Sequence, residues 1–229
     1  MRLVLASANP GKLVELQTLF APLGLEIVAQ GALGIGEAEE PHATFLENAL
    51  AKARAAARAS GAAAIADDSG LCVDALGGAP GVASAHFAPL NSTLVDAAHD
   101  AAAALDTARP GAARAGGREA HRRRQDAANN ALLLQRLRGA ASRRARFVSV
   151  LVALRSVDDP EPLVAVGRWP GEVLEAPRGS GGFGYDPLLF VPALGRTVAE
   201  LEPAAKNRHS HRAQASRRML ALMRSSWLR

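Results

Sequence analysis

Apolar positions in this chain switch repeatedly between short continuous runs and helical spacing, and the switches mark its elements. Apolar runs bounded by turn residues predict buried strands at Arg2–Ala8 (RLVLASA), Leu25–Gln30 (LEIVAQ) and Ala62–Ala66 (AAAIA). Between the first two, Leu13, Leu16, Phe20 and Leu23 recur at helical spacing, with Asn9 as N-cap and Pro10 as first helical residue. Thr44 and Glu47 have the spacing of a capping box and open an alanine-rich helix at Phe45–Ser60. The strongest strand signal is Ala145–Val157, with Pro162–Leu174 as its hairpin partner. Further helices are predicted at Ala127–Gly139 and after Ser210, where Met219, Leu220, Leu222 and Met223 form the apolar face. Strands and helices mixed in this way predict an α/β fold built on a mixed sheet.

From about residue 87 to 124 this patterning dissolves into Ala, Arg and Gly. The stretch reads as a flexible insertion, partly helical around Leu94–Leu105, within one domain spanning 1–229. No fixed-period repeat is visible.

Composition narrows the class. Hydrophobic residues make up 48% and charged residues 21%, which excludes a disordered chain. No apolar run reaches the ~18 residues of a membrane span, and MRLVLASANPGK lacks the form of a signal peptide, so a cytoplasmic location with no membrane partner is expected. The single cysteine, Cys72, fits a reducing compartment and reads as a small buried hydrophobe. A net charge of +5 suggests nucleic acid until its position is considered. Between Arg109 and Arg146, 11 arginines face only Glu119 and Asp126, a local +9, so the remainder carries −4. The basicity belongs to one segment, and no specific nucleic-acid partner is expected.

Several short stretches concentrate chemistry. SANPGK (Ser7–Lys12) puts a hydroxyl, an amide, a glycine and a lysine where a strand turns into a helix, a place suited to phosphate. The first glycine and the spacing of a P-loop are missing, and taken alone a capped helix start is the favoured reading of the pattern. Asp67 and Asp68 follow an apolar run at what reads as a strand end, and Glu39 and Glu40 lie ahead of a helix. Carboxylates presented from two loops suit Mg²⁺, which takes one or two protein oxygens beside water and phosphate. One aspartate is also placed to deprotonate an attacking water. The Gly77–Gly81 loop reads as a tight turn or as a close approach to ligand. Read alone, GGFGYD (Gly181–Asp186) favours a strand entry with buried aromatics; the alternative is that Phe183 or Tyr185 stacks on a base while Asp186 or backbone groups read its edge. In KNRHSHR (Lys206–Arg212), cations gather where a helix begins, which favours them only beside an anion. Lys206, His211 and Arg212 read as ligand-facing, Arg208 and His209 as solvent-facing, and a His-x-His zinc site lacks further ligands.

Taken together, SANPGK, TFLENALAKA, ADDSGLCVDALGGAPGVASA, GGFGYDPLLFVP and KNRHSHRAQA resemble the inosine triphosphate pyrophosphatase family, in family order and over most of the chain. The resemblance implies Mg²⁺-dependent hydrolysis of ITP, dITP and XTP to the monophosphate and pyrophosphate. It also implies a homodimer and an elongated mixed sheet with flanking helices, split into two lobes around an active-site cleft. By the same resemblance, Ser7, Ala8, Asn9, Pro10, Gly11 and Lys12 bind triphosphate, and Asp68 accepts the proton and touches Mg²⁺ together with Glu40 or Glu39. Ser69 contacts substrate, Phe183, Gly184, Tyr185 and Asp186 line the base pocket, and Lys206, His211 and Arg212 complete the nucleotide contacts. The chain departs from the family's usual Ser-Ala-Arg at Ser84-Ala85-His86, so His86 is given no role. Alternatives are a pyrophosphatase acting on modified pyrimidine or canonical deoxynucleotides, and a nucleic-acid binder using the Arg109–Arg146 segment.

Overall fold

A computed structural model describes residues 2–7, 9–21, 24, 26–89 and 116–227. In chain order the main elements are β1 (Arg2–Ala6), α1 (Pro10–Phe20), β2 (Glu26–Ala29), α2 (Phe45–Ser60), β3 (Ala63–Val73) and α3 (Gly116–Arg136). They continue with β4 (Arg144–Leu154), β5 (Leu163–Val173), β6 (Leu189–Val191), β7 (Arg196–Thr197), α4 (Pro203–His209) and α5 (His211–Ser226). The strands form one mixed sheet in the order β2-β1-β3-β4-β5-β6-β7. β1 runs parallel to β2 and β3, whereas β6 is antiparallel to both β5 and β7. The α/β class with a mixed sheet and flanking helices is therefore as the sequence predicts.

The chain divides into two compact units. The first comprises Met1–Ser69, Phe147–Trp169 and Pro203–Arg229, and the second Gly70–Arg146 and Pro170–Glu202. In the first, Leu3, Leu5 and Ile65 of the sheet pack with Leu16 and Phe20 of α1 and with Ala215, Met219 and Met223 of α5. Each large side chain buried there contributes about 1.5–3 kcal/mol. Gly167 on β5 lets α5 lie close: a Cβ there would meet the His211 carbonyl oxygen at 1.9 Å. In the second unit Leu71, Val73, Leu133, Leu137, Tyr185, Leu188 and Val191 are buried.

Two expectations need correction. The paired aspartates do not end a strand: β3 runs on through Asp67, Asp68, Ser69 and Gly70 to Val73, and both carboxylates are buried. The polar run mimics a turn, but partners distant in sequence compensate its charges inside the sheet. Second, α3 begins at Gly116, well before the predicted start at Ala127. Residues 119–124 are largely exposed, so no apolar stripe announces this part of the helix. Most of the predicted insertion, including Leu94–Leu105, lies at residues 90–115, outside the described residues, as does Leu23.

Capping follows the sequence closely. Asn9 Oδ1 accepts from the amides of Gly11 and Lys12 at 3.0 and 3.2 Å. Ser210 Oγ accepts from Ala213 N at 3.1 Å. Thr44 Oγ1 accepts from Glu47 N at 3.2 Å and donates to the Glu47 carboxylate at 2.6 Å, so the reciprocal bond reaches the hydroxyl. No helix among the described residues is long and apolar enough to cross a membrane.

Candidate active site

Strand period two decides what the paired aspartates do. Neighbouring side chains point to opposite faces, so Asp67 and Ser69 share one face of β3 and Asp68 takes the other. The contacts obey this division. Asp67 Oδ2 meets Lys12 Nζ of α1 at 2.9 Å and Arg212 Nη2 of α5 at 3.3 Å, while its Oδ1 accepts from Ser149 Oγ of β4 at 2.6 Å. Arg212 Nη2 also reaches Ser69 Oγ at 3.0 Å. Glu15 closes this group: its carboxylate pairs with Arg212 Nη1 and, at 2.9 Å, with Lys206 Nζ. Asp68 belongs to a second group, with Lys52 Nζ of α2 lying 3.0 Å from its Oδ1 and 2.9 Å from Glu40 Oε1.

The loop carrying Glu40 is held from α2. Asn48, fully buried, accepts from His42 N at 3.0 Å and donates to His42 O at 3.2 Å. Two adjacent carboxylates thus sit in opposite situations. Burial would push the Asp67 carboxyl up, but Lys12, Arg212 and the Ser149 hydroxyl outweigh it and hold Asp67 well below the usual carboxylate range. Burial lifts Asp68 above that range, because Lys52 and Lys12 only partly offset it and Glu40 adds to the lift. Asp68 Oδ2 is buried and has no hydrogen-bond partner among the described residues. A buried acceptor left open is costly unless a ligand, ion or water takes it.

Charge separates the two groups further. Around Asp67, among the described residues, the cations Lys12, Lys206 and Arg212 exceed the carboxylates Asp67 and Glu15 by one. Around Asp68, the carboxylates Asp68 and Glu40 exceed Lys52 by one. The first group suits an anion and the second a cation. Among the described residues, no three His, Cys, Asp or Glu side chains cluster to hold a metal on protein ligands alone. One or two carboxylate oxygens with water and phosphate completing the shell is the manner of Mg²⁺, and Asp68 with Glu40 fits it. Glu39 is exposed.

The other expected residues fall as follows. Ser7 Oγ accepts from Asn9 N at 3.2 Å, so it braces the β1–α1 turn. The Gly11 and Lys12 amides, expected to face phosphate, are engaged by Asn9. Ala8 lies outside the described residues, and Pro10 is the first residue of α1. Lys206 and Arg212 are buried in ion pairs, and Arg208 and His209 are exposed as expected. His211 stacks on Phe147 with ring centroids 4.9 Å apart. Burial, reinforced by Arg212, drives its pKa well below the ordinary histidine value, so it is neutral.

Phe183, Gly184, Tyr185 and Asp186 belong to the second unit. Tyr185 is packed inside and its hydroxyl donates to Ser84 O at 2.9 Å, which removes it as an open stacking surface. The Asp186 carboxylate accepts from Phe183 N at 3.0 Å, bracing its own loop. Phe183 is half-buried and Gly184 presents backbone.

Sequence reading missed Glu15, Lys52, Asn48 and Ser149. Two signals were present: Glu15 falls three residues after Lys12 on α1, and Lys52 shares its helical face with the buried Asn48, Ala49, Ala53 and Ala56.

A mixed seven-stranded sheet with two aspartates buried in its third strand among convergent cations defines an α/β enzyme of anionic substrates. The chain belongs to the Ham1 family, whose model matches residues 3–116 and 101–222. It is 64% identical over 228 residues to the dITP/XTP pyrophosphatase of Methylibium petroleiphilum, covering 100% of both chains. It is 56% identical over 220 residues to that of Burkholderia pseudomallei, covering 96% of this chain and 92% of the relative. Among solved structures, a HAM1 protein from Coxiella burnetii aligns with a TM-score of 0.79 at 36% identity, covering 99% of this chain and 100% of that one. A dITP/XTP pyrophosphatase from Mycobacterium abscessus aligns at 0.63 and 34%, covering 98% of this chain and 97% of that one.

Proposed function

We propose that this protein hydrolyses non-canonical purine nucleoside triphosphates (ITP, dITP and XTP) to the monophosphate and pyrophosphate. The observation that carries the reading is the open, buried Oδ2 of Asp68 beside a cation-rich group suited to phosphate. The dITP/XTP pyrophosphatase names of the full-length relatives give the substrate class. Lys12, Lys206 and Arg212 neutralise the triphosphate, and Asp67 with Glu15 holds those cations in place. Both Nη atoms of Arg212 are held by Glu15, Asp67 and Ser69, so its part is the fixed positive charge it adds beside the phosphates.

Asp68 acts as the base. Its Oδ1 is fixed by Lys52, which leaves Oδ2 to take the proton of a water attacking the α-phosphorus. Asp68 and Glu40 are the residues that would hold Mg²⁺, which when bound neutralises charge developing on the phosphate oxygens. Phe183 and the backbone around Gly184 are the base-reading groups of the second unit. Oxygen at the purine 6-position accepts hydrogen bonds where adenine donates, so a pocket of donors rejects ATP by leaving those donors unpaired. The protein works as a cytoplasmic homodimer.

Pyrophosphate release from ITP, XTP, GTP and ATP, with and without Mg²⁺, tests this reading. Strong preference for ITP and XTP over ATP, dependent on Mg²⁺, is expected. Equal kcat/KM for ITP and ATP would overturn the inosine-type pocket, and undiminished turnover in chelator would overturn the metal.

A further inference from the structure

Helix α3 turns four neighbouring polar residues, Gln125, Asp126, Asn129 and Asn130, toward two loops of the second unit. Asn129 accepts from Ala88 N at 2.8 Å and donates to the carbonyls of Ser84 and Ala85 at 3.2 and 3.1 Å. Gln125 Nε2 donates to Ala88 O at 2.9 Å and to Asn129 Oδ1 at 2.9 Å. The second pair grips one residue from both sides. Asp126 Oδ2 accepts from Gly184 N at 2.9 Å, and Asn130 Nδ2 donates to Gly184 O at 3.1 Å.

Positions 126 and 130 are one helical turn apart, which stacks their side chains on one face of α3. Together they fix both backbone polar groups of a glycine, a residue with no side chain by which its loop could otherwise be anchored. Burial raises the Asp126 carboxyl above its ordinary range, with the Gly184 amide and Arg122 opposing and Asp186 and Glu119 adding. The Asn129–Gln125 pair extends the hold: it fixes the Ser84 carbonyl that receives the Tyr185 hydroxyl, so α3 grips residues 184 and 185 by two routes.

We propose that Asp126 and Asn130 are positioning residues that set base discrimination by clamping the Gly184 backbone on both sides. Neither need touch substrate, and the inference rests on the reading of Phe183–Asp186 as the base-reading loop. A loop held at both backbone polar groups of one residue presents its remaining groups at fixed positions, and fixed groups discriminate where mobile ones adapt. The clamp acts on recognition and leaves the Asp68 chemistry alone.

The test is kcat and KM for ITP, GTP and ATP in Asp126→Ala, Asn130→Ala and Asp126→Asn, each checked for an unchanged far-ultraviolet spectrum and melting cooperativity. Gly184 amide exchange is followed in parallel by NMR. Removing either hydrogen bond should raise KM for ITP about tenfold with kcat changed by less than about threefold, and should lower the ITP-to-ATP ratio of kcat/KM about tenfold. Asp126→Asn keeps an acceptor for the Gly184 amide and should behave like the wild type. Amide protection at Gly184 should fall in Asp126→Ala and persist in Asp126→Asn. A fall in kcat with KM and the substrate ratio unmoved would overturn the proposal, as would unchanged Gly184 protection in Asp126→Ala. A wild type without preference for ITP would defeat the base-reading role and this discrimination with it, and Gly184 exchange would still report whether the clamp holds.

Discussion

The two units solve the problem of buried polarity in opposite ways. In the first, the polar groups are charged side chains, brought from α1, α2, α5 and β4 onto β3. In the second, they are largely backbone groups of two loops, held by uncharged amides and one carboxylate of α3. The first arrangement gathers charge and leaves one buried carboxylate oxygen without a hydrogen-bond partner among the described residues, and the second fixes geometry. Phosphate chemistry needs the former and recognition of a base edge needs the latter. Within the first unit the same contrast recurs between neighbours, since Asp67 is saturated with partners whereas Asp68 keeps one oxygen open.

That contrast breaks most sharply at the two aspartates. Asp68→Asn should lower kcat at least 10²–10⁴-fold, about the worth of a general base, while melting close to the wild type. Asp67→Asn leaves Lys12 and Arg212 short of their buried counter-charge, and should destabilise the fold by about 3–5 kcal/mol in urea unfolding. If both substitutions cost only stability, Asp68 is structural as well and the division fails.

In the second unit geometry should dominate. A Cβ at Gly70 would meet Gly81 O and Ser84 Oγ at 2.3 Å each, and Ser84 Oγ accepts from Leu71 N at 2.9 Å. Gly70→Ala should therefore cost about 1–3 kcal/mol by overpacking, read as a lowered urea midpoint. An unshifted midpoint would mean that the Gly81–Ser84 loop yields freely and holds no fixed geometry.

A smaller effect concerns His211. Its folded pKa lies well below the unfolded value of 6.5 because burial excludes the charged ring. Below pH 6.5 the unfolded chain binds the proton first, so the stability present above that pH is lost as pH falls toward the folded pKa. His211→Phe removes this linkage, and its melting temperature should fall less than that of the wild type between about pH 7 and about pH 5. Parallel curves would place an accessible, charged imidazole at this position.

How much of this was legible in the sequence follows from the same contrast. Caps were legible because they act within three residues, as Asn9 and Ser210 do. Lys12 stood out as a charge where a strand turns into a helix, and Lys206 and Arg212 as cations expected at a helix start; Arg212 does open α5, but Lys206 lies in the last turn of α4. The extent of β3 was hidden, since DDSG reads locally as a turn and its compensating charges lie far along the chain, at positions 12, 52 and 212. Lys52 and Glu15 look like ordinary helix-surface residues until the fold covers them. The α3 clamp left no signal of its own, because amide side chains that bond to backbone carry neither charge nor periodicity. Tyr185 and Asp186 were assigned to the base by type, but the fold employs their polar atoms within its own loops.

The central claim is that water, activated at Asp68, attacks the α-phosphorus. Hydrolysis of ITP in heavy-oxygen water, with mass analysis of both products, tests it most directly. The account predicts one heavy oxygen in the monophosphate and none in the pyrophosphate. Heavy oxygen in pyrophosphate, or release of orthophosphate in its place, would contradict it.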